Sequence, residues 1–127
     1  MIIRLDFDSE IPIYTQIKDE IVKGIALGDL NDDDELPSVR GLAADIEVNM
    51  HTVNKAYKIL KDEGYIRIDR RRGAVVSVNL EESTNRFMKT FKRDLEIGVI
   101  QCINRGIQKD KVKDLVEDLY SIYLKED

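Results

Sequence analysis

Between Leu36 and Leu60 the apolar residues fall at three- and four-residue steps twice, with a polar break between the two runs. Val39, Leu42, Ala43 and Ile46 line one face of a first segment, and Val53, Ala56, Tyr57 and Leu60 one face of a second. That period predicts two amphipathic helices. Pro37 and Ser38 open the first, because Pro presets the backbone and Ser is able to cap it. Glu47-Val48-Asn49 interrupts, Asn49 supplies the next cap from about Met50, and Gly64 is the expected stop. Beyond Gly64 the period shortens. Tyr65 to Asp69 alternates as a strand, Arg70-Arg71-Arg72-Gly73 turns the chain, and Ala74 to Val78 is apolar and β-branched enough to return as the partner strand. The outer face of the second helix carries Asn49, His51, Thr52, Asn54, Lys55 and Lys58, polar and cationic without being densely charged. A surface that reads base edges has that character, and helix, short turn, helix is a DNA-binding arrangement.

The flanks follow the same logic. Ile3, Leu5 and Phe7 alternate with Arg4, Asp6 and Asp8, so Met1 to Glu10 is expected to be extended and strand-like. Asp8-Ser9-Glu10 offers cap candidates for a helix with Pro12 in its first turn, a buried stripe of Ile13, Ile17, Ile21, Val22 and Ile25, and Gly28 at its end. Asp29 to Glu35 is acidic and turn-rich. It lacks the Gly and the distant Glu of a calcium-binding loop, so it is expected to be a solvated loop with no metal. From Glu81 a long helix carries Phe87, Phe91, Leu95, Val99 and Cys102, with Ile97, Ile100 and Ile103 widening the stripe. Asn104-Arg105-Gly106 breaks it, and a second helix presents Val112, Leu115, Val116, Leu119, Ile122 and Tyr123. Two such helices form a hairpin that leaves an apolar face uncovered. A second copy of the chain is the expected cover, with Phe87, Phe91, Leu95, Val99, Cys102, Leu115, Leu119, Ile122 and Tyr123 at a homodimer interface.

Charge sharpens this picture. The 127 residues carry a net charge of -5, which by itself argues against a nucleic-acid partner. Yet Leu36 to Gly73 holds eight Lys/Arg and five Asp/Glu, a local +3, and the remainder is at -8. The base is concentrated in the motif, and the local charge is what DNA meets. The single Cys102 excludes an intramolecular disulfide and fits a reducing compartment. No apolar run approaches the ~20 residues that span a bilayer, and the N-terminus does not read as a signal peptide. A cytoplasmic protein without a membrane partner is expected.

Leu36-Pro37-Ser38-x-Arg40-x-Leu42-Ala43, then Val48-x-x-x-Thr52-Val53-x-x-Ala56-Tyr57-x-x-Leu60-x-x-x-Gly64-Tyr65-Ile66, resembles the winged helix-turn-helix of GntR-family bacterial transcription regulators. Tyr14, Gln16 and Ile17 are similar to the opening of several of its subfamilies. The short tail after the wing resembles the YtrA-type subfamily, in which two helices serve dimerisation. The resemblance implies a mainly α fold with a small β-hairpin wing (α+β): residues 1–78 as the DNA-binding domain and 79–127 as a helical dimerisation tail. It implies that Arg40 reaches a guanine edge, where an arginine fork discriminates by ~1–3 kcal/mol. Ser38, Asn49, Met50, His51, Thr52, Asn54 and Lys55 are expected at base or phosphate, and Arg70, Arg71, Arg72 and Gly73 at the wing. Two departures stand out. Met50 replaces an arginine common in relatives. Arg71 stands where the wing usually has its first glycine, which is unfavourable if φ there is positive.

The expected activity is a sequence-specific, homodimeric repressor on an inverted-repeat operator in double-stranded DNA. No cofactor is called for, and whether an unidentified effector releases the DNA is open. The competing reading is a winged helix used for protein–protein interaction, which the polar face from Met50 to Lys58 disfavours. Catalysis finds no support: one His and one Cys lie far apart, and no phosphate-cradling or zinc spacing occurs.

Overall fold

The computed structural model describes residues 3–125, so the part of the strand-like expectation that falls on Met1 and Ile2 lies outside the described residues. The chain divides between Leu80 and Glu81 into two compact units.

The first unit contains α1 (Ile13–Leu27), α2 (Val39–Ile46), α3 (Met50–Glu63) and a hairpin of β1 (Ile66–Asp69) and β2 (Gly73–Val76). Ile17 and Ile21 from α1, Leu42 and Ala43 from α2, and Val53, Ala56, Tyr57 and Leu60 from α3 form one core, closed by Leu36, Ile66, Ala74 and Val76. These are the positions the helical period selects. Removing such side chains from water is the main favourable term, at roughly 25 cal/mol per Å² of apolar surface.

Local signals set the boundaries. Ser38 Oγ accepts from the Gly41 amide at 2.9 Å and Asn49 Oδ1 from the His51 amide at 2.7 Å, so both expected caps form. Between α2 and α3 the turn is closed by Glu47 in the left-handed region (φ +57), and the Val48 amide donates to the Ala43 carbonyl at 3.0 Å. Tyr57 reaches across the motif, its hydroxyl donating to the Pro37 carbonyl at 2.7 Å. Burial pushes that phenol above its ordinary range.

Several expectations are corrected. The segment before α1 is not a strand. Ile3 and Leu5 pack against the core, but Asp6 to Ser9 folds into a turn whose Ser9 amide donates to the Asp6 carbonyl. An alternating run with no neighbouring strand to pair with has no ladder to join. None of Asp8, Ser9 or Glu10 caps α1. Pro12 is the N-cap residue, without a side-chain cap. Gln16 secures the approach instead: its Oε1 accepts from the Asp6 amide (2.8 Å), and its Nε2 donates to the carbonyls of Asp6 (3.0 Å) and Ile11 (2.8 Å). The hairpin is one residue shorter than expected at the start of β1, and β2 ends two residues early.

Asp29 to Glu35 is also not merely a solvated loop. Its end runs along the free edge of β2. The Asp33 amide donates to the Val76 carbonyl, the Val76 amide to the Asp34 carbonyl, and the Leu36 amide to the Ala74 carbonyl, at 2.7–2.9 Å. β2 is therefore paired on both edges, with β1 in the antiparallel register Ile66↔Val76 to Asp69↔Gly73 on one side and a bridge from Glu35 to Val75 on the other. Arg67 and Glu35 both stand opposite Val75, on one face of this small sheet. Val75 is fully buried, although it lies outside the main core cluster.

The second unit is α4 (Glu81–Asn104) and α5 (Lys109–Leu124), separated by a break at Gly106 (φ +70). Among the described residues no helix is long and apolar enough to cross a membrane.

Gly64 caps α3 at φ +99, and the Asn79 amide donates to its carbonyl at 2.7 Å. A Cβ there would fall 2.0 Å from the Asn79 carbonyl oxygen. Gly64→Ala therefore meets both an unfavourable φ and a backbone clash. It should destabilise the first unit by roughly 3 kcal/mol, read as a lowered urea midpoint; an unchanged midpoint would show that the 77–80 segment yields freely.

Candidate nucleic-acid interface

The face of α3 opposite its buried stripe begins at the helix N-terminus. Asn49, Met50, His51 and Asn54 are exposed there, and with Val39 from α2 they line a shallow depression. Its lining combines three polar side chains with a thioether and a valine. Met50 is 44% exposed, which leaves an apolar group where a thymine methyl is a natural contact. Thr52 is half-buried two positions on, its amide donating to the Asn49 carbonyl at 3.0 Å.

The two caps retain hydrogen-bonding capacity. Ser38 uses its oxygen as an acceptor, so its hydroxyl proton remains available to a phosphate; Asn49 likewise keeps its amide N–H groups. Arg40 lies in the first turn of α2, exposed, and none of the observed ion pairs involves it. Lys55 is less free than its position suggests. Its ammonium sits 4.1 Å from the centroid of the Tyr14 ring, an attraction of about 0.5–1 kcal/mol at an exposed site. Tyr14 thus points the lysine, a role that its place in α1 did not reveal. Lys58 pairs with Asp62 at 3.1 Å, one turn further from the reading end.

The wing turn, left open by Arg71 in place of the usual glycine, is built without strain at that residue. Arg71 does not occupy the left-handed region; among the described non-glycine residues only Asp33, Glu47 and Lys125 do. The turn is held by Asp69, whose Oδ1 accepts from the amides of Arg71 (2.8 Å) and Arg72 (3.0 Å). An aspartate that ties its own backbone two residues on makes a turn without glycine. These amide bonds hold the Asp69 carboxyl below its usual value. Gly73, at φ +78, opens β2.

Of the three wing arginines, Arg70 and Arg71 are exposed. Arg72 instead turns onto the acidic loop. Its Nε donates to Glu35 Oε1 at 2.8 Å and its Nη1 to Asp33 Oδ1 at 2.8 Å. Arg67 also reaches Asp33, at 3.1 Å. The structure thus brings Ser38, Arg40, Asn49, Met50, His51, Thr52, Asn54 and Lys55 to the helix-turn-helix, sets Arg70 and Arg71 at the hairpin tip, and withdraws Arg72. The acid run from Asp32 to Glu35, opposite in sign to the triple arginine, was the available signal for that pairing.

The comparisons with known proteins identify the family. A family model described as "Bacterial regulatory proteins, gntR family" matches residues 13–76. The chain is 34% identical over 118 residues to the "HTH-type transcriptional repressor YtrA" of Bacillus subtilis (strain 168), covering 92% of this chain and 91% of that protein. It is similar to the solved structure "YtrA from Sulfolobus acidocaldarius, a GntR-family transcription factor", with 44% identity, a TM-score of 0.62, and coverage of 76% of this chain and 99% of that one. It also resembles AraR(DBD) in complex with operator ORX1, at 29% identity and a TM-score of 0.52, over 58% of this chain and 92% of that one. The chain therefore belongs to the gntR family of bacterial regulatory proteins: it is a DNA-binding transcription regulator, not an enzyme.

Proposed function

We propose that the protein is a homodimeric repressor that binds an inverted-repeat operator through residues 1–78 and pairs through residues 79–127. The observation that carries the pairing is the apolar surface of α4 and α5. Phe87 is 54% exposed, Leu95 47% and Leu119 55%, and Phe91, Val99, Leu115 and Ile122 are exposed along with them. Phe87 and Phe91 already stack on one another, centroids 5.6 Å apart. Fully burying one such side chain is worth roughly 1.5–3 kcal/mol, and a second copy presents the same surface to receive it. Cys102 and Tyr123, half-buried within the unit, continue the row.

On the DNA side, the N-terminus of α3 enters the major groove. Asn49, His51, Thr52 and Asn54 meet base edges or phosphates, and Met50 presents its apolar end. Arg40 forks onto a guanine and Ser38 and Lys55 meet phosphate. The tip of the wing tracks the adjacent backbone. Two copies related by a two-fold axis read half-sites about one helical turn apart. The Bacillus subtilis relative is named a repressor, which supports an operator-blocking mode.

Selection from a random double-stranded DNA pool at moderate salt should enrich an inverted repeat. A well-folded protein that enriches nothing would favour the protein-interaction reading of the winged helix. Arg40→Ala should narrow the gap between operator and random DNA by about 1–3 kcal/mol, measured as a ratio of the two affinities; equal loss on both would place Arg40 on phosphate alone. Leu95→Asp should yield monomers by light scattering and lose operator affinity. A variant that stays dimeric would move the interface away from α4.

A further inference from the structure

The three arginines of the wing turn differ in what holds them. Arg70 and Arg71 are exposed, and the observed ion pairs of the wing involve only Arg67 and Arg72. All three guanidinium nitrogens of Arg72 are engaged. Nε meets Glu35 Oε1 at 2.8 Å, Nη1 meets Asp33 Oδ1 at 2.8 Å, and Nη2 meets the Asp33 carbonyl at 2.5 Å. Their partners come from a segment more than thirty residues earlier, itself fixed in place. The Asp33 amide is bound to the Val76 carbonyl at 2.7 Å, and Glu35 bridges to Val75.

We propose that Arg72 is not a phosphate ligand but the positioning residue of the wing. Clamped by Asp33 and Glu35, it fixes the hairpin so that Arg70 and Arg71 are the ones presented to DNA. The inference rests on the reading of the wing as a DNA contact.

The charge balance explains the assignment. For Arg72 to meet a phosphate it would have to leave two carboxylates and a carbonyl. That would leave Glu35 without its arginine, and Asp33 with Arg67 alone, close to an incoming polyanion. Holding Arg72 neutralises those acids before DNA arrives. Both carboxylates also hold the guanidinium more firmly protonated than usual. Arg67 completes the network, bonded to Asp33 and, at 3.2 Å, to Asp69, which shapes the turn carrying Arg70 and Arg71. Exposed ion pairs contribute little to global stability, so the effect lies in the wing's geometry.

The test is the salt dependence of DNA affinity, whose slope falls by about 0.9 for each phosphate that the protein no longer neutralises. Arg70→Met and Arg71→Met should each flatten it by about one. Arg72→Met should weaken binding by a similar factor at every salt concentration and leave the slope as it was. In an Asp33→Asn, Glu35→Gln background the arginine is released, and there the same Arg72→Met change should flatten the slope by about one. Asn is well tolerated at φ +73, so the background adds no backbone strain. A flattening by Arg72→Met in the otherwise native chain, equal to that of its two neighbours, would overturn the proposal. If Arg70→Met and Arg71→Met leave the slope untouched, the wing is not a DNA contact and the reading beneath the proposal fails. The clamp itself is then judged by the Arg72 Nε–H resonance. One hydrogen-bonded shift, kept with and without DNA, sustains the clamp; its disappearance on adding DNA refutes it.

Discussion

One stripe of α3 has almost no freedom. Val53, Ala56 and Leu60 have no exposed surface, and Tyr57 beside them is both buried and hydrogen-bonded to the Pro37 carbonyl. Interiors pack too densely for a helix so held to rotate. Because the stripe is fixed against α1 and α2, the opposite face has only one direction to point. Asn49, Met50, His51, Asn54 and Lys55 are displayed as a consequence of core packing, with no further device needed to orient the helix. Tyr57 couples the two jobs: the same side chain that fills the core ties α3 to the peptide leading into the Ser38 cap and Arg40.

The wing solves a different problem with different physics. A two-stranded hairpin alone is marginal in water. Here β2 gains a second partner in residues 33–36, and Arg67, Glu35 and Arg72 close around the face that holds Val75. The acidity of this loop, which looks unsuited to a DNA-binding unit, is in part internal: Asp33 and Glu35 are matched against two wing arginines. The overall charge of -5 is thus a poor guide to what a duplex meets, since part of the acid is already compensated within the fold.

α1, α3, α4 and α5 were legible because they repeat their apolar positions over three turns or more, and Gly28, Gly64 and Gly106 mark where three of them stop; α2, with only two turns, was legible from Pro37, Ser38 and its apolar spacing. The α2–α3 turn was legible from Asn49. What escaped was information held in pairing. Ile3 and Leu5 alternate like a strand, yet period two says nothing of whether a partner strand exists, and among the described residues none pairs with them. The same blindness hid the run from Asp33 to Glu35: its partners are 34–39 residues away, and no local rule links them. Arg71 looks misplaced only if glycine is the sole way round the turn. Asp69 offers another, and an aspartate two positions earlier is a readable cue. Lys55 looked free because the ring beneath it belongs to another helix.

These restraints also bear on how much a single copy can read. Of the cations at the helix-turn-helix, Arg40 is unencumbered, Lys55 sits over Tyr14 and Lys58 is paired with Asp62. At the wing Arg72 and Arg67 are engaged by acids. One reading head therefore brings few base contacts, each worth ~1–3 kcal/mol, too few to single out one site among the competing sequences of a genome. On the proposed dimer the second head binds at the effective concentration set by the first, and the discrimination of the two half-sites adds in free energy. On that proposal the large apolar residues of α4 and α5 belong to the recognition chemistry as much as Arg40 does: burying Phe87, Leu95 and Leu119 against a second copy is what would turn a sparse reading surface into a selective one.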